Sequence, residues 1–157
     1  MKADGDTKSL LDVLRDLVSR LEQGNVPYAL CGGLALAVHA FPRATMDIDI
    51  LTEEKFLDDI KTLAAEVGFK MESGVLELCE GTVKIYRLYQ TAAADEYPLV
   101  LDVLLVTPPL RKVWEAKERL EWEGGFISVV SREGLIQMKS LRNSGQDQDD
   151  IRKLKEL

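Results

Sequence analysis

The two aspartates of Met46-Asp-Ile-Asp-Ile-Leu51 constrain this chain more than any other feature. Ile48, Ile50 and Leu51 make the segment a strand. Residues i and i+2 of a strand face the same side, roughly 6.6 Å apart along the chain, so Asp47 and Asp49 aim at one spot. Two carboxylates held that way repel unless a cation, a proton or a basic side chain sits between them. Hard divalent cations take such oxygen ligands. Thirteen residues separate Asp47 from Gly32-Gly33, which follows the strand-like Val26-Pro-Tyr-Ala-Leu-Cys31 and opens a helix. Glycines there let backbone N–H groups approach an anion, and a helix start favours negative charge. An anion cradle followed by a dicarboxylate is a plan for nucleotide chemistry.

The surrounding chain reads as a mixed α/β (α+β) domain, a small sheet carrying the acids with helices packed around it. Leu10, Leu11, Leu14, Leu17, Val18 and Leu21 recur at helical spacing, and Gly24-Asn25 stops that helix. Leu34–Phe41 predicts a covered apolar helix, and Met46–Leu51 the acid-bearing strand. Thr52 is expected to cap a helix that Gly68 ends. Phe69 to Tyr89 is strand-like, with turns expected at Gly74 and Gly81. Leu110–Leu120 predicts a helix, Phe126–Val130 a strand, Ser131–Leu141 a helix that Gly145 breaks, and Asp147–Leu157 a closing helix. Residues 1–6 are expected to be disordered and 91–96 to form a loop. With no linker, internal repeat or low-complexity run, 157 residues predict one domain.

Tyr97-Pro-Leu-Val-Leu-Asp-Val-Leu-Leu-Val106 reads as a strand buried on both faces, with Asp102 its only charge. An ionised carboxylate there is costly unless paired or metal-bound. Three readings stand side by side: an ion pair with a Lys or Arg, an end-of-strand position facing water, or a metal ligand. Arg43 is a surface charge balancing the acids, a bidentate phosphate clamp, or an ion pair that orients an Asp. Thr45 is foremost a good strand former. His39, the only histidine, reads as a capping or packing residue. Asp147 and Asp150, at i and i+3, share one helix face, where capping alone accounts for them.

The spacing of Gly32-Gly33 and Asp47-Ile-Asp49 resembles the signature of the polymerase-beta-type nucleotidyltransferase superfamily. The finer pattern of Gly32, Gly33, Ala35 and His39, then Pro42, Arg43, Thr45, Asp47 and Asp49, resembles its small AbiEii-type and MNT-like bacterial members. So does the stretch of Lys139, Arg142, Asp147 and Asp150 near the end. Gly33 stands where the family often has Ser, Ala40 where it usually has Gly, and Gln146 where it usually has Arg or Lys.

The resemblance implies a nucleotidyltransferase using an NTP and two Mg²⁺ (or Mn²⁺) ions. Asp47 and Asp49 would hold both ions, and Asp102 the catalytic one while accepting the acceptor's proton. Gly32, Gly33, Arg43, Thr45, Lys139 and Arg142 would contact the nucleotide, and helices over residues 131–157 would complete the cleft. The acceptor would be an RNA end, a protein or a small molecule. The rival reading is a degenerate nucleotide-binding or interaction module with a partner protein, as in a toxin–antitoxin pair. Lys139→Ala would weaken triphosphate binding with little loss of stability.

Composition sets outer bounds. A net charge of −7 argues against broad binding to nucleic acid or anionic membrane. No apolar run reaches the length of a membrane span, and the first residues carry acids rather than a signal-like apolar core. Cys31 and Cys79 lie far apart in apolar strand-like contexts, which predicts buried, reduced thiols in a cytoplasmic protein.

Overall fold

Ser9 starts the first helix. Its Oγ accepts from the Asp12 backbone N–H at 3.1 Å, and Asp12 Oδ2 accepts from the Ser9 N–H at 3.2 Å. This reciprocal cap satisfies two donors that a helix start leaves unpaired. Helix α1 (Leu10–Gln23) buries Val13, Leu14, Leu17, Val18 and Leu21 as one stripe. Strand β1 (Ala29–Cys31) runs directly into helix α2 (Gly32–Val38). Strand β2 (Asp47–Thr52) is followed by a 3-10 turn (Glu54–Phe56) and helix α3 (Leu57–Glu66). Strands β3 (Met71–Leu78) and β4 (Val83–Tyr89) form a hairpin, and β5 (Val100–Leu105) follows. A second 3-10 turn (Pro108–Leu110) leads into α4 (Arg111–Glu115). Strands β6 (Glu118–Trp122) and β7 (Gly125–Val129) precede helices α5 (Arg132–Arg142) and α6 (Gly145–Lys155). The computed structural model describes residues 9–39, 47–90, 98–142 and 145–156, the side chains of 142, 145 and 146 excepted.

The strands make one mixed sheet in the order β3-β4-β5-β2-β1-β7-β6. The β2–β5 and β1–β7 pairs are parallel and the others antiparallel. Side chains alternate across a strand, and here the alternation separates core from site. Ile48, Ile50, Leu101 and Val103 are at most 1% exposed and join the core that α1 and α3 cover. Asp47, Asp49, Asp102 and Leu104 point to the opposite face. A register slip of one residue would bury the acids in that core. Among the described residues, no helix is long and apolar enough to cross a membrane.

The mixed α/β class is as the sequence predicts, with seven strands in the sheet among the described residues. Local expectations fail where chain-distant pairing decides. Thr52 is no helix cap: it ends β2, fully buried, and its Oγ1 donates to the Pro27 carbonyl at 2.8 Å. Gly74 makes no turn but sits where the β3–β4 register shifts between Glu72 and Val75, a bulge that glycine tolerates. Cys79 is exposed, in the β3–β4 turn at φ 54°, while Cys31 is buried. The closing helix starts at Gly145 rather than Asp147.

The helix expected over Leu110–Leu120 ends at Glu115, and Glu118–Trp122 pairs with β7 instead. Trp122 opposes Gly125, so Glu123-Gly124 is a two-residue loop. Both loop residues have positive φ, 51° and 78°, as a type I′ hairpin turn requires. The hairpin wins because that turn's twist matches the strands it joins. Glutamate is poorly suited to left-handed backbone, whereas asparagine adopts it readily. Glu123→Asn is therefore expected to raise stability by about 0.5–1 kcal/mol, a gain of roughly 2–4 °C per kcal/mol in Tm at this size. Its exposed contact with Arg15, at 3.4 Å, offsets little of that. Thermal unfolding of the two chains checks this.

Candidate active site

Gly32 is where the backbone meets the acids. Strand β1 pairs antiparallel with β2, with Cys31 opposite Asp49, so the chain leaving β1 passes over the Asp49 carboxylate. A Cβ at Gly32 would lie 2.1 Å from Asp49 Oδ2, and the residue has φ +68°. Space and backbone conformation both demand glycine. The close approach sets the Gly32 backbone against the Asp49 carboxylate. His39, at the end of α2, has Nε2 2.9 Å from the Val130 carbonyl, the packing role its sequence suggests.

The parallel β2–β5 register sets Asp49 opposite Asp102, and the antiparallel β4–β5 register sets Arg87 opposite Asp102. One row therefore crosses four strands: Cys31, Asp49, Asp102, Arg87. Arg87 grips Asp102 with both arms, Nε donating to Oδ1 at 2.8 Å and an NH2 nitrogen to Oδ2 at 2.9 Å. Asp102 is 5% exposed, so the fork satisfies an acid that the sheet has removed from water. The ion-pair reading of Asp102 is the one the structure shows, and the same register sets it beside Asp49. No motif marks Arg87; the only hint was a lone arginine in the otherwise apolar alternation of Ile85, Tyr86, Leu88 and Tyr89.

The crowding of charge shows in the protonation equilibria. Burial, then the charge of Asp102, raises the Asp47 pKa above the usual carboxylate range, with Arg87 opposing. Hydrogen bonds and charge from Asp102, with added charge from Asp47 and Asp49, hold Arg87 still more firmly protonated. A cation arriving here would relieve the acids and compete with the guanidinium.

A cleft of about 340 Å³ opens over the row. Its polar side holds Gly32, Gly33, Asp47, Asp49, Asp102 and Lys139, and its other wall is aliphatic, from Leu76, Val83, Ile85, Leu104 and Met138. Of the sequence-derived site residues, the fold brings together Gly32, Gly33, Asp47, Asp49, Asp102 and Lys139. Arg43 and Thr45 lie outside the described residues. Arg142 is the last residue of α5, and its side chain is also outside them.

Lys139 reaches the cleft from α5, but α6 holds it. Its Nζ lies 3.0 Å from Asp150 Oδ2 and 3.8 Å from Asp147 Oδ1, and all three residues are buried. The i, i+3 acids thus do more than cap α6: they tie it to α5. This corrects the expectation that Lys139→Ala spares the fold. Removing the ammonium takes the cation from beside two buried carboxylates, a loss expected to reach about 3–5 kcal/mol, measurable by urea unfolding.

The donor set fits a hard divalent cation in kind: Asp49 and Asp102 are in register on adjacent strands, and Asp47 lies two residues from Asp49 on the same face. Yet among the described residues no three His, Cys, Asp or Glu side chains are gathered as a metal site. Both oxygens of Asp102 are directed at Arg87 instead.

No family model matches the sequence, and neither does any curated protein. Solved structures do match the fold, and it is the fold of nucleotidyltransferases. A Thermotoga maritima protein provisionally assigned as a nucleotidyltransferase aligns over 91% of this chain and 90% of its own, at 21% identity and a TM-score of 0.62. The complex of ANT(2'')-Ia with adenylyl-2''-tobramycin aligns over 94% and 88%, at 13% identity and a TM-score of 0.61. The solution structure of that antibiotic-resistance factor aligns over 90% and 80%, at 13% identity and a TM-score of 0.59. At these identities the likeness is one of fold.

Gly32→Ala is expected to cost at least about 2 kcal/mol. Roughly 1–2 kcal/mol comes from the left-handed backbone, and the rest from displacing the Asp49 carboxylate. Urea unfolding of the variant gives the total.

Proposed function

We propose that this chain is a metal-dependent nucleotidyltransferase of the polymerase-beta type, kin to its small AbiEii-type and MNT-like members. It would act in the cytoplasm, on an NTP and the hydroxyl of an RNA end, a protein or a small molecule. The observation that carries the reading is the register of Asp49 with Asp102, next to Asp47 and under the Gly32-Gly33 turn. Nucleotidyl transfer calls for that combination: amides for a triphosphate and carboxylates around the reacting phosphorus.

The chain's own groups divide the work. Backbone N–H groups at Gly32 and Gly33 would hold triphosphate oxygens, with no hydroxyl at position 33 to assist. Asp47 and Asp49 would hold the ions, and Asp102 would complete the set. Bound Mg²⁺ or Mn²⁺ would supply charge neutralisation at the attacking and leaving oxygens. The acceptor oxygen forms its bond to the α-phosphorus as the bond to the bridging oxygen breaks, and the pyrophosphate leaves with that electron pair. Asp102 takes the acceptor's proton. Lys139 would face the phosphates with its charge already matched by Asp147 and Asp150, so it would orient more than it attracts. Arg43, Thr45 and Arg142 are the remaining candidate nucleotide contacts.

One observation favours a second reading, a degenerate nucleotide-binding module that serves a partner protein. The Asp102 carboxylate is engaged by Arg87, as it would be in a site that no longer performs chemistry. The two readings separate on catalysis: pyrophosphate release belongs to the first alone.

NTP binding is expected only with a divalent ion, because the acids otherwise repel the triphosphate. Stabilisation should follow mass action, about 2.7 kcal/mol at a hundred times the dissociation constant. Thermal-shift titration with each NTP, with Mg²⁺ or with EDTA, tests this, and Asp49→Asn should abolish the response. Equal binding in EDTA would sink the metal-bridged reading.

A further inference from the structure

Arg87 and Asp102 differ in freedom as well as in charge. Asp102 stands inside the sheet with a side chain 7% exposed, while the Arg87 side chain is 46% exposed at the cleft rim. The acid cannot leave without breaking the sheet, whereas the guanidinium can leave by rotating its own side chain. Both contacts run through the two oxygens that an ion at Asp102 would need. Other charges facing the pair are Asp47 and Asp49 from β2, and both bear on Arg87. The charges of Asp47, Asp49 and Asp102 all bear on this one guanidinium. A cation entering beside them meets an Asp102 whose two oxygens are already engaged.

We infer that Arg87 is a resident cation that keeps Asp102 out of the ion-binding set until a divalent ion displaces it. Entry of the ion is an exchange of one cation for another at a single buried carboxylate. Arg87 is in this sense a positioning residue: in the ion-free protein it preserves the geometry of Asp102 against repulsion from Asp49, and it sets the threshold for loading. The inference rests on the metal-dependent reading above and adds a component that the aspartates do not contain.

Mn²⁺ binding to the full chain, measured by calorimetry and by thermal shift, tests it in Arg87→Met, Arg87→Lys, Asp102→Asn, Asp49→Asn and the Arg87→Met/Asp102→Asn pair. Arg87→Met should melt lower without the ion, since a buried carboxylate loses its partner. It should bind Mn²⁺ about tenfold tighter or more, since the competing charge is gone, and Mn²⁺ should restore its melting temperature. Arg87→Lys keeps the charge but not the fork and should fall between. In the Asp102→Asn background, Arg87→Met should change affinity little, because the shared carboxylate is neutral. Unchanged or weaker Mn²⁺ affinity in Arg87→Met, or in Arg87→Lys if the first variant does not fold, would make Arg87 structural and overturn the inference. Wild-type protein that binds Mn²⁺, and loses it in Asp49→Asn, would then leave the metal-dependent reading standing. No Mn²⁺ binding in any variant would remove both.

Discussion

The parallel pairing of β2 with β5 is the constraint from which the rest follows. It sets Asp49 beside Asp102 and, by alternation, Ile50 beside Val103 on the opposite face. One register therefore fixes the acid row and the apolar core together. Adjacent strands run about 4.8 Å apart, close enough for the two carboxylates to feel each other strongly. Their repulsion is a standing cost that the protein offsets locally, with Arg87 on one flank. Stability and reactivity of the site are therefore aspects of one electrostatic problem.

The second requirement is close approach. The chain must cross from β1 into α2 directly above Asp49, and only a residue without a side chain can do so. That crossing brings backbone donors within reach of the same region the acids surround. The α5–α6 tie closes the arrangement from the other side. Its Lys139 is neutralised by two buried acids, so that part of the cleft is rigid rather than strongly positive.

How much of this could be read from the chain depends on how local each signal was. Gly32-Gly33, Asp47 and Asp49 were legible as candidates because they form a pattern of fixed short spacing within one stretch of chain. Asp102 was legible as a lone charge in an apolar run. Arg87 was not, because its role comes from a register between strands and leaves no pattern of its own. The same reason hid the buried state of Lys139, whose partners lie on another helix. The β6 error was of a different kind: five residues of ambiguous periodicity were decided by the Glu123-Gly124 turn that follows them. Thr52 and Gly74 misled because both are turn or cap formers whose use here is set by neighbouring strands.

The unequal burial of the two cysteines has a practical consequence. Cys31 is shut inside the row, whereas Cys79 is exposed, with its Sγ donating to the Leu141 carbonyl at 3.4 Å. That contact joins the β3–β4 turn to the end of α5, and Leu78 and Leu141 on either side of it both line the cleft. The wild-type chain thus carries one accessible thiol at the seam between the two walls of its own cleft. A fluorophore or spin label attached there would report on the separation of those walls without any engineered cysteine.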